Sequence, residues 1–167
     1  MSRTRRTLLR ALVITHLVGL ASLFGGTAAV FVLTHAGERL AGGAHRAFAF
    51  EVGGMVQNLV LLPGSLALVL SGVLLSLLGP WGFVKHWWMI AKLVGTVILA
   101  FHGQVQYRPV TFRMLEWARA DALPADWPDL LFHFQRVGII QLVALVLVCT
   151  VGVFKPLGKT PFGASRT

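Results

Sequence analysis

The chain has 167 residues, of which 56% are hydrophobic and 13% charged, and its formal net charge is +9. Its mean hydropathy of +0.74 is too high for a soluble domain of this length, so we expect a membrane protein in a lipid bilayer. The basic excess does not indicate a nucleic-acid partner, because the Lys and Arg residues flank apolar segments instead of forming one basic stretch.

Four apolar segments are long enough to cross about 30 Å of hydrocarbon as helices. They span residues 8–33, 56–78, 87–107 and 130–154. None shows the alternation of a barrel strand, and unpaired backbone groups are costly in hydrocarbon, so helices are expected. The predicted fold is an all-α, four-helix transmembrane bundle forming one domain, followed by a basic flexible tail at 155–167.

Small residues recur along one face of the first segment, which predicts a close approach by a neighbouring helix. They are Thr15, Gly19, Ser22 and Gly26. The basic residues before this segment resemble the start of a secretory signal, but the apolar run is about twice the usual length, so we expect a retained helix. His16 lies beside the stripe.

The second and third segments form a predicted helical hairpin. A second small or weakly polar face, suited to packing on the first helix, consists of Asn58, Ser65, Gly72 and Gly79. In the third segment Lys92 shares a face with Thr96 and Gly103. A lysine at this depth either faces the bundle interior or extends its stem to the headgroups.

The loop after the third segment carries a proline and an amphipathic stretch. We expect Arg108-Pro109 to end the helix, because proline lacks a backbone N–H. The following residues, Thr111–Ala120, resemble a short interfacial helix on the outer surface. A turn-rich link, 123–129, then leads into the fourth segment.

The distribution of charge predicts the orientation. Basic residues without acidic ones precede the first segment, lie between the second and third, and follow the fourth. All six Asp and Glu residues lie in the other two loops. The positive-inside rule therefore predicts that both termini are cytoplasmic.

The sequence contains no phosphate loop, dinucleotide motif, zinc-protease motif or nucleophile elbow, so we favour a protein that is not an enzyme. The remaining candidates for chemistry are histidines. Two histidines from different helices at similar depth, with basic residues nearby, are what haem b requires for its axial positions and propionates.

Two such histidine pairs are candidates. His102 and His133 form the outer pair, with Arg136 or Arg108 as propionate partners. His16 and His86 form the inner pair, with Lys85 or Lys92 in that role. The same imidazoles suit copper or zinc, so the cofactor stays open between haem b and a metal ion.

Three stretches carry a resemblance to a known group of proteins. They are His16-x-x-Gly19 with Gly25-Gly26, Pro63-Gly64 to Ser71-Gly72, and Trp87-Trp88 with Lys92. The chain resembles uncharacterised predicted integral membrane proteins of bacteria, which are distantly similar to the membrane part of copper-resistance protein D and to b-type cytochrome bundles. The resemblance implies a multi-pass protein of the bacterial inner membrane, with His16 as the first candidate ligand.

Three functional hypotheses follow. In the first, the chain is a non-catalytic membrane subunit or scaffold whose small-residue stripes and basic tail bind another membrane protein or a second copy. In the second, it binds haem or metal through intramembrane histidines and transfers electrons. In the third, it is a small-solute carrier, which would require a dimer, because four helices without repeats leave little room for alternating access.

Overall fold

The chain folds into four long helices. The computed structural model describes residues 3–39, 43–79, 82–120, 123–156 and 158–161. The helices are α1 (Arg3–Arg39), α2 (Gly43–Leu78), α3 (Trp87–Arg119) and α4 (Trp127–Phe154), and each is long and apolar enough to cross a membrane. We call the end of the bundle that carries both chain ends the terminal end, and the opposite end the far end.

The helices are longer at the far end than the sequence predicts. With 37, 36 and 33 residues, α1, α2 and α3 are about 50–55 Å long, well beyond the roughly 30 Å of a hydrocarbon core. The predicted outer loop before residue 56 is largely the start of α2. Likewise, the predicted interfacial helix Thr111–Ala120 is not a separate element, because its residues continue α3.

Two π-helical turns explain why the prolines do not end these helices. One covers Gln57–Leu61 and the other Gly103–Tyr107. Pro63 and Pro109 follow them at equivalent positions, two residues after each turn. A proline lacks one N–H and its ring clashes with the carbonyl four residues back, and the wider turn relieves that conflict. The prediction that Arg108-Pro109 closes the third helix is therefore wrong.

The closest approach of two backbones joins α1 to α2. A Cβ atom built on Gly19 would lie 2.7 Å from the Leu68 nitrogen and 2.8 Å from the Gly64 carbonyl oxygen. A Cβ on Gly64 would lie 2.5 Å from the Ser22 Cβ. The predicted residues Gly19 and Ser22 of α1 therefore lie at this contact. On α2 the contact is made by Gly64, which is not one of the predicted face residues, and Asn58 of that predicted face is exposed.

An aromatic and ionic cluster holds the helices together at the far end. Tyr107 of α3 stacks on Phe134 of α4 with ring centroids 4.3 Å apart. Phe50 of α2 is fully buried against Phe134 and Trp127. Between α1 and α2, Glu38 Oε1 pairs with Arg46 Nε at 2.7 Å.

At the terminal end, the chain after α4 turns back onto the loop before α3. Thr160 donates its backbone N–H to the Lys85 carbonyl at 3.0 Å, and Trp87 donates to the Gly158 carbonyl at 3.3 Å. The predicted flexible tail therefore begins with a short antiparallel bridge. The part of that prediction covering 162–167 lies outside the described residues.

We predict that Gly19→Ala destabilises the bundle by about 1–3 kcal/mol, because the new methyl group forces the backbones of α1 and α2 apart. The measurement is thermal unfolding in detergent. Gly25→Ala is the matched control, since a Cβ at Gly25 meets nothing within 4 Å. Equal unfolding temperatures for the two variants would contradict the proposed contact.

Candidate functional site

A cavity of about 330 Å³ lies between all four helices in the terminal half of the bundle. Most of its wall is apolar. Its polar, charged, aromatic and sulfur-containing lining consists of His16, Ser76, Trp88, Met89, Lys92, Thr96 and Lys155. None of the described residues that line it is acidic, so the cavity combines an apolar wall with cationic groups.

His16 is held in one orientation by α2. Its Nδ1 lies 3.2 Å from the Leu68 carbonyl oxygen and 3.1 Å from Ser71 Oγ. Ser71 donates its only proton to α2 carbonyls, so both neighbours of Nδ1 accept and Nδ1 carries the proton. The lone pair of the neutral ring is therefore on Nε2, for which the described residues contain no hydrogen-bond partner.

The α1–α2 contact produces this orientation. Gly19, one turn after His16, brings α1 against Gly64 and Leu68. Gly72, one turn after Leu68, leaves the space that the imidazole occupies, because a Cβ there would lie 3.2 Å from His16 Cε1. The stripe of small residues therefore positions the histidine as well as packing the helices.

Lys92 projects from α3 into the same cavity. A Cβ on Gly152 of α4 would lie 3.2 Å from the Lys92 Nζ, so that glycine provides the room for the ammonium group. No carboxylate pairs with Lys92 among the described residues, whose ion pairs are Glu38–Arg46 and Glu51–Arg119 at the far end. A positive charge thus sits in a half-buried position without an anion.

Lys155 and Trp88 close the cavity toward the terminal end. Lys155 ends α4 in a left-handed conformation, with φ of 50°. Its ammonium nitrogen lies 5.6 Å from the Trp88 ring centroid, within cation–π range. From the sequence, Lys155 is only one of the basic residues that follow the fourth apolar segment. Its position directly after that segment, at the depth of Trp88, could have predicted that it lies beside the cavity.

The structure brings His16 and Lys92 together but leaves the other predicted residues elsewhere. His86 precedes α3 and its ring is 6.0 Å from that of Trp88, outside the cavity lining. His133 is exposed and contacts Arg136 Nη2 at 3.2 Å. Any cofactor role for these residues stays a prediction.

His102 lies deeper in the bundle than its predicted partner. Its Nδ1 is 3.1 Å from Gln141 Oε1. His133 precedes Gln141 by eight residues of α4, which is about 12 Å along the helix axis. The two histidines of the predicted outer pair therefore differ in depth by about two helical turns. Within the described ranges, no group of three or more His, Cys, Asp or Glu side chains is arranged to hold a metal ion.

A second polar cluster, missed by sequence reasoning, lies between the two π-helical turns. Gln57 donates from Nε2 to Thr111 Oγ1 at 2.6 Å. Its Oε1 and the Tyr107 hydroxyl are buried without a hydrogen-bond partner among the described residues. Only 2% of the Gln57 surface is exposed, so its amide faces the bundle interior. Gln57 lies at helical spacing from the buried residues Leu61, Ser65 and Leu68. This spacing could have predicted that Gln57 is buried.

We predict that Lys92→Met raises the free energy of unfolding of the ligand-free protein by about 1–2 kcal/mol, because it removes an unpaired charge from an apolar cavity. Thermal unfolding in detergent measures the effect. Lys85→Met, at an exposed loop position, is the control and should change stability by less than about 0.5 kcal/mol. A lower unfolding temperature for Lys92→Met would mean that the ammonium has a stabilising partner.

Comparison of the chain with protein-family models, with curated proteins and with solved structures finds no match. The resemblance to bacterial integral membrane proteins therefore stays a prediction. A function is inferred below from the cavity.

Proposed function

We propose that the chain is a non-catalytic membrane protein that binds a small organic anion in the cavity of its terminal half. The observation that carries this proposal is the Lys92 ammonium, which enters an apolar cavity without a carboxylate partner. Intramembrane lysines are rare, and they usually mark a ligand or ion site.

The cavity offers groups that complement the head of such a ligand. A carboxylate or phosphate beside Lys92 Nζ would form a charge-assisted hydrogen bond, which is stronger in an apolar site than in water. Lys155 adds a second positive charge at the mouth. The hydroxyl groups of Ser76 and Thr96 donate to helix carbonyls, so the Lys92 ammonium is the natural donor to an anion.

Ligand binding is favoured over a pure scaffold role, because the small residues that could pack against a partner helix already pack within the bundle. Gly19 and Gly64 pack α1 against α2, and Gly152 makes room for Lys92. These glycines are therefore not available to a partner helix. The proposal is compatible with a role as a subunit of a larger membrane complex that uses the bound ligand.

Haem b is a second candidate ligand, favoured by the geometry of His16. Histidines that bind a metal almost always donate their other ring N–H to a carbonyl, carboxylate or water, and His16 Nδ1 faces the Leu68 carbonyl in this way. His16 Nε2 would be the axial ligand, with Lys92 and Lys155 beside the propionates. A bound haem would supply one-electron chemistry.

The size of the cavity favours the smaller ligand. A protein cavity of about 150 Å³ holds one benzene molecule, so the 330 Å³ cavity has room for about two aromatic rings. A tetrapyrrole has four pyrrole rings and exceeds this volume. We therefore place the small organic anion first.

We expect 2-naphthoate, a two-ring carboxylate, to raise the unfolding temperature of the wild-type protein. At one hundred times its dissociation constant, a ligand adds about 2.7 kcal/mol to the free energy of unfolding. Lys92→Met should lose this shift, because the carboxylate then has no buried cation. The uncharged analogue 2-naphthylmethanol controls for binding of the rings to detergent. An equal shift for wild type and Lys92→Met would overturn the proposal.

The haem candidate makes a separate prediction. Protein produced with ample haem should show the Soret and visible bands of a bound haem, and these bands should shift after reduction by dithionite. His16→Ala should abolish those bands, while His133→Ala, at an exposed position, should retain them. A spectrum with only aromatic side-chain absorption would remove haem and leave the organic anion.

A further inference from the structure

An apolar groove runs along the outside of the bundle between α1 and α4, in the same half as the cavity. Its volume is about 450 Å³. The α1 side consists of Leu17, Leu20, Ala21 and Phe24, and the α4 side of Val146, Cys149, Thr150, Val153 and Phe154. Among the described residues no charged side chain lines it, and the Thr150 hydroxyl donates to the Val146 carbonyl within α4.

On α1 the groove residues follow directly after the cavity residues, and on α4 the two sets overlap along the helix. On α1, His16 lines the cavity and Leu17 lines the groove. On α4, Gly152 lines the cavity, and Cys149 and Val153 line the groove. On both helices, therefore, the apolar groove begins one residue away from the cavity wall. A molecule whose polar head lies at Lys92 has this apolar surface nearby.

We propose that the ligand is a long-chain organic anion whose head lies in the cavity and whose tail lies in the groove between α1 and α4. This inference rests on the proposed anion site and adds the ligand class. Charge complementarity selects the head, because the described residues that line the cavity include two lysines and no acid. Proximity selects the tail, since Leu17 follows His16 and Val153 follows Gly152, so the neutral groove begins one residue from the cavity wall on both helices. The groove extends over nine residues of α4, from Val146 to Phe154, or about 12 Å, enough for much of a fatty acyl chain.

The dimensions also separate this ligand from a two-tailed lipid. The cavity has room for about two rings, and the groove offers one apolar channel between two helices. A single-tailed carboxylate fits this combination of one charged head site and one tail site. Burial of each additional methylene in the groove should strengthen binding, so affinity should rise with chain length.

The test compares palmitate with 2-naphthoate, a probe that reaches only the cavity. Native mass spectrometry from detergent measures the fraction of protein that retains one bound molecule. Ala21→Trp fills the groove from a lipid-facing position without touching the cavity. Ala11→Trp is the matched control, because Ala11 is exposed on the same helix and lines neither site.

We expect the wild-type protein and Ala11→Trp to retain palmitate, and Ala21→Trp to bind it at least tenfold more weakly while still binding naphthoate. Lys92→Met should lose both ligands. Unchanged palmitate binding by Ala21→Trp would overturn the tail assignment but leave the proposed anion site intact. Palmitate binding that survives Lys92→Met would show a groove for bulk lipid, independent of the cavity. Absence of both ligands from folded wild-type protein would overturn the anion site itself.

Discussion

The approach of α1 to α2 at Gly19 and Gly64 is the constraint on which the rest of the structure depends. At these positions a Cβ atom would meet backbone or side-chain atoms of the other helix at less than 3 Å, so the two helices touch through their backbones. In hydrocarbon such contact replaces the hydrophobic effect as the source of helix association. It also sets the relative depth of His16 and Leu68, whose carbonyl orients the imidazole.

The cavity follows from how the other two helices join this pair. Packing of α3 and α4 relies on Gly95 and Gly152, where a Cβ would approach Val148 and Lys92. These glycines let a long side chain turn inward and not out to lipid. The result is a cationic group facing a histidine whose Nε2 is unpaired within the described structure. An apolar site with one sign of charge is incomplete without a counter-ion, and this is the physical basis of the proposed ligand.

Sequence reasoning succeeded where local pattern alone decides the outcome. Four apolar segments of sufficient length indicated four membrane-spanning helices, and the spacing of Gly19, Ser22 and Gly26 indicated the packed face of α1. The prediction that the third helix ends at Arg108-Pro109 was wrong. The turn before Pro109 is π-helical, and such a turn accommodates a proline within a continuous helix. Gln57 and Tyr107, which lie in the two π-helical turns, are buried in the bundle interior. Their burial depends on the other helices, so local helix propensity does not predict these turns.

The sequence by itself therefore determined the class of protein, the number of helices and the residues available for chemistry, since these depend on composition and helical period. Only the tertiary structure decided which of those residues meet. His16 and Lys92 line one cavity, Lys155 joins them, and His102 lies about two turns from the level of His133. Such relations depend on the register between helices, and that register is set by interhelical contacts such as Gly19 with Gly64. No single helix carries this information.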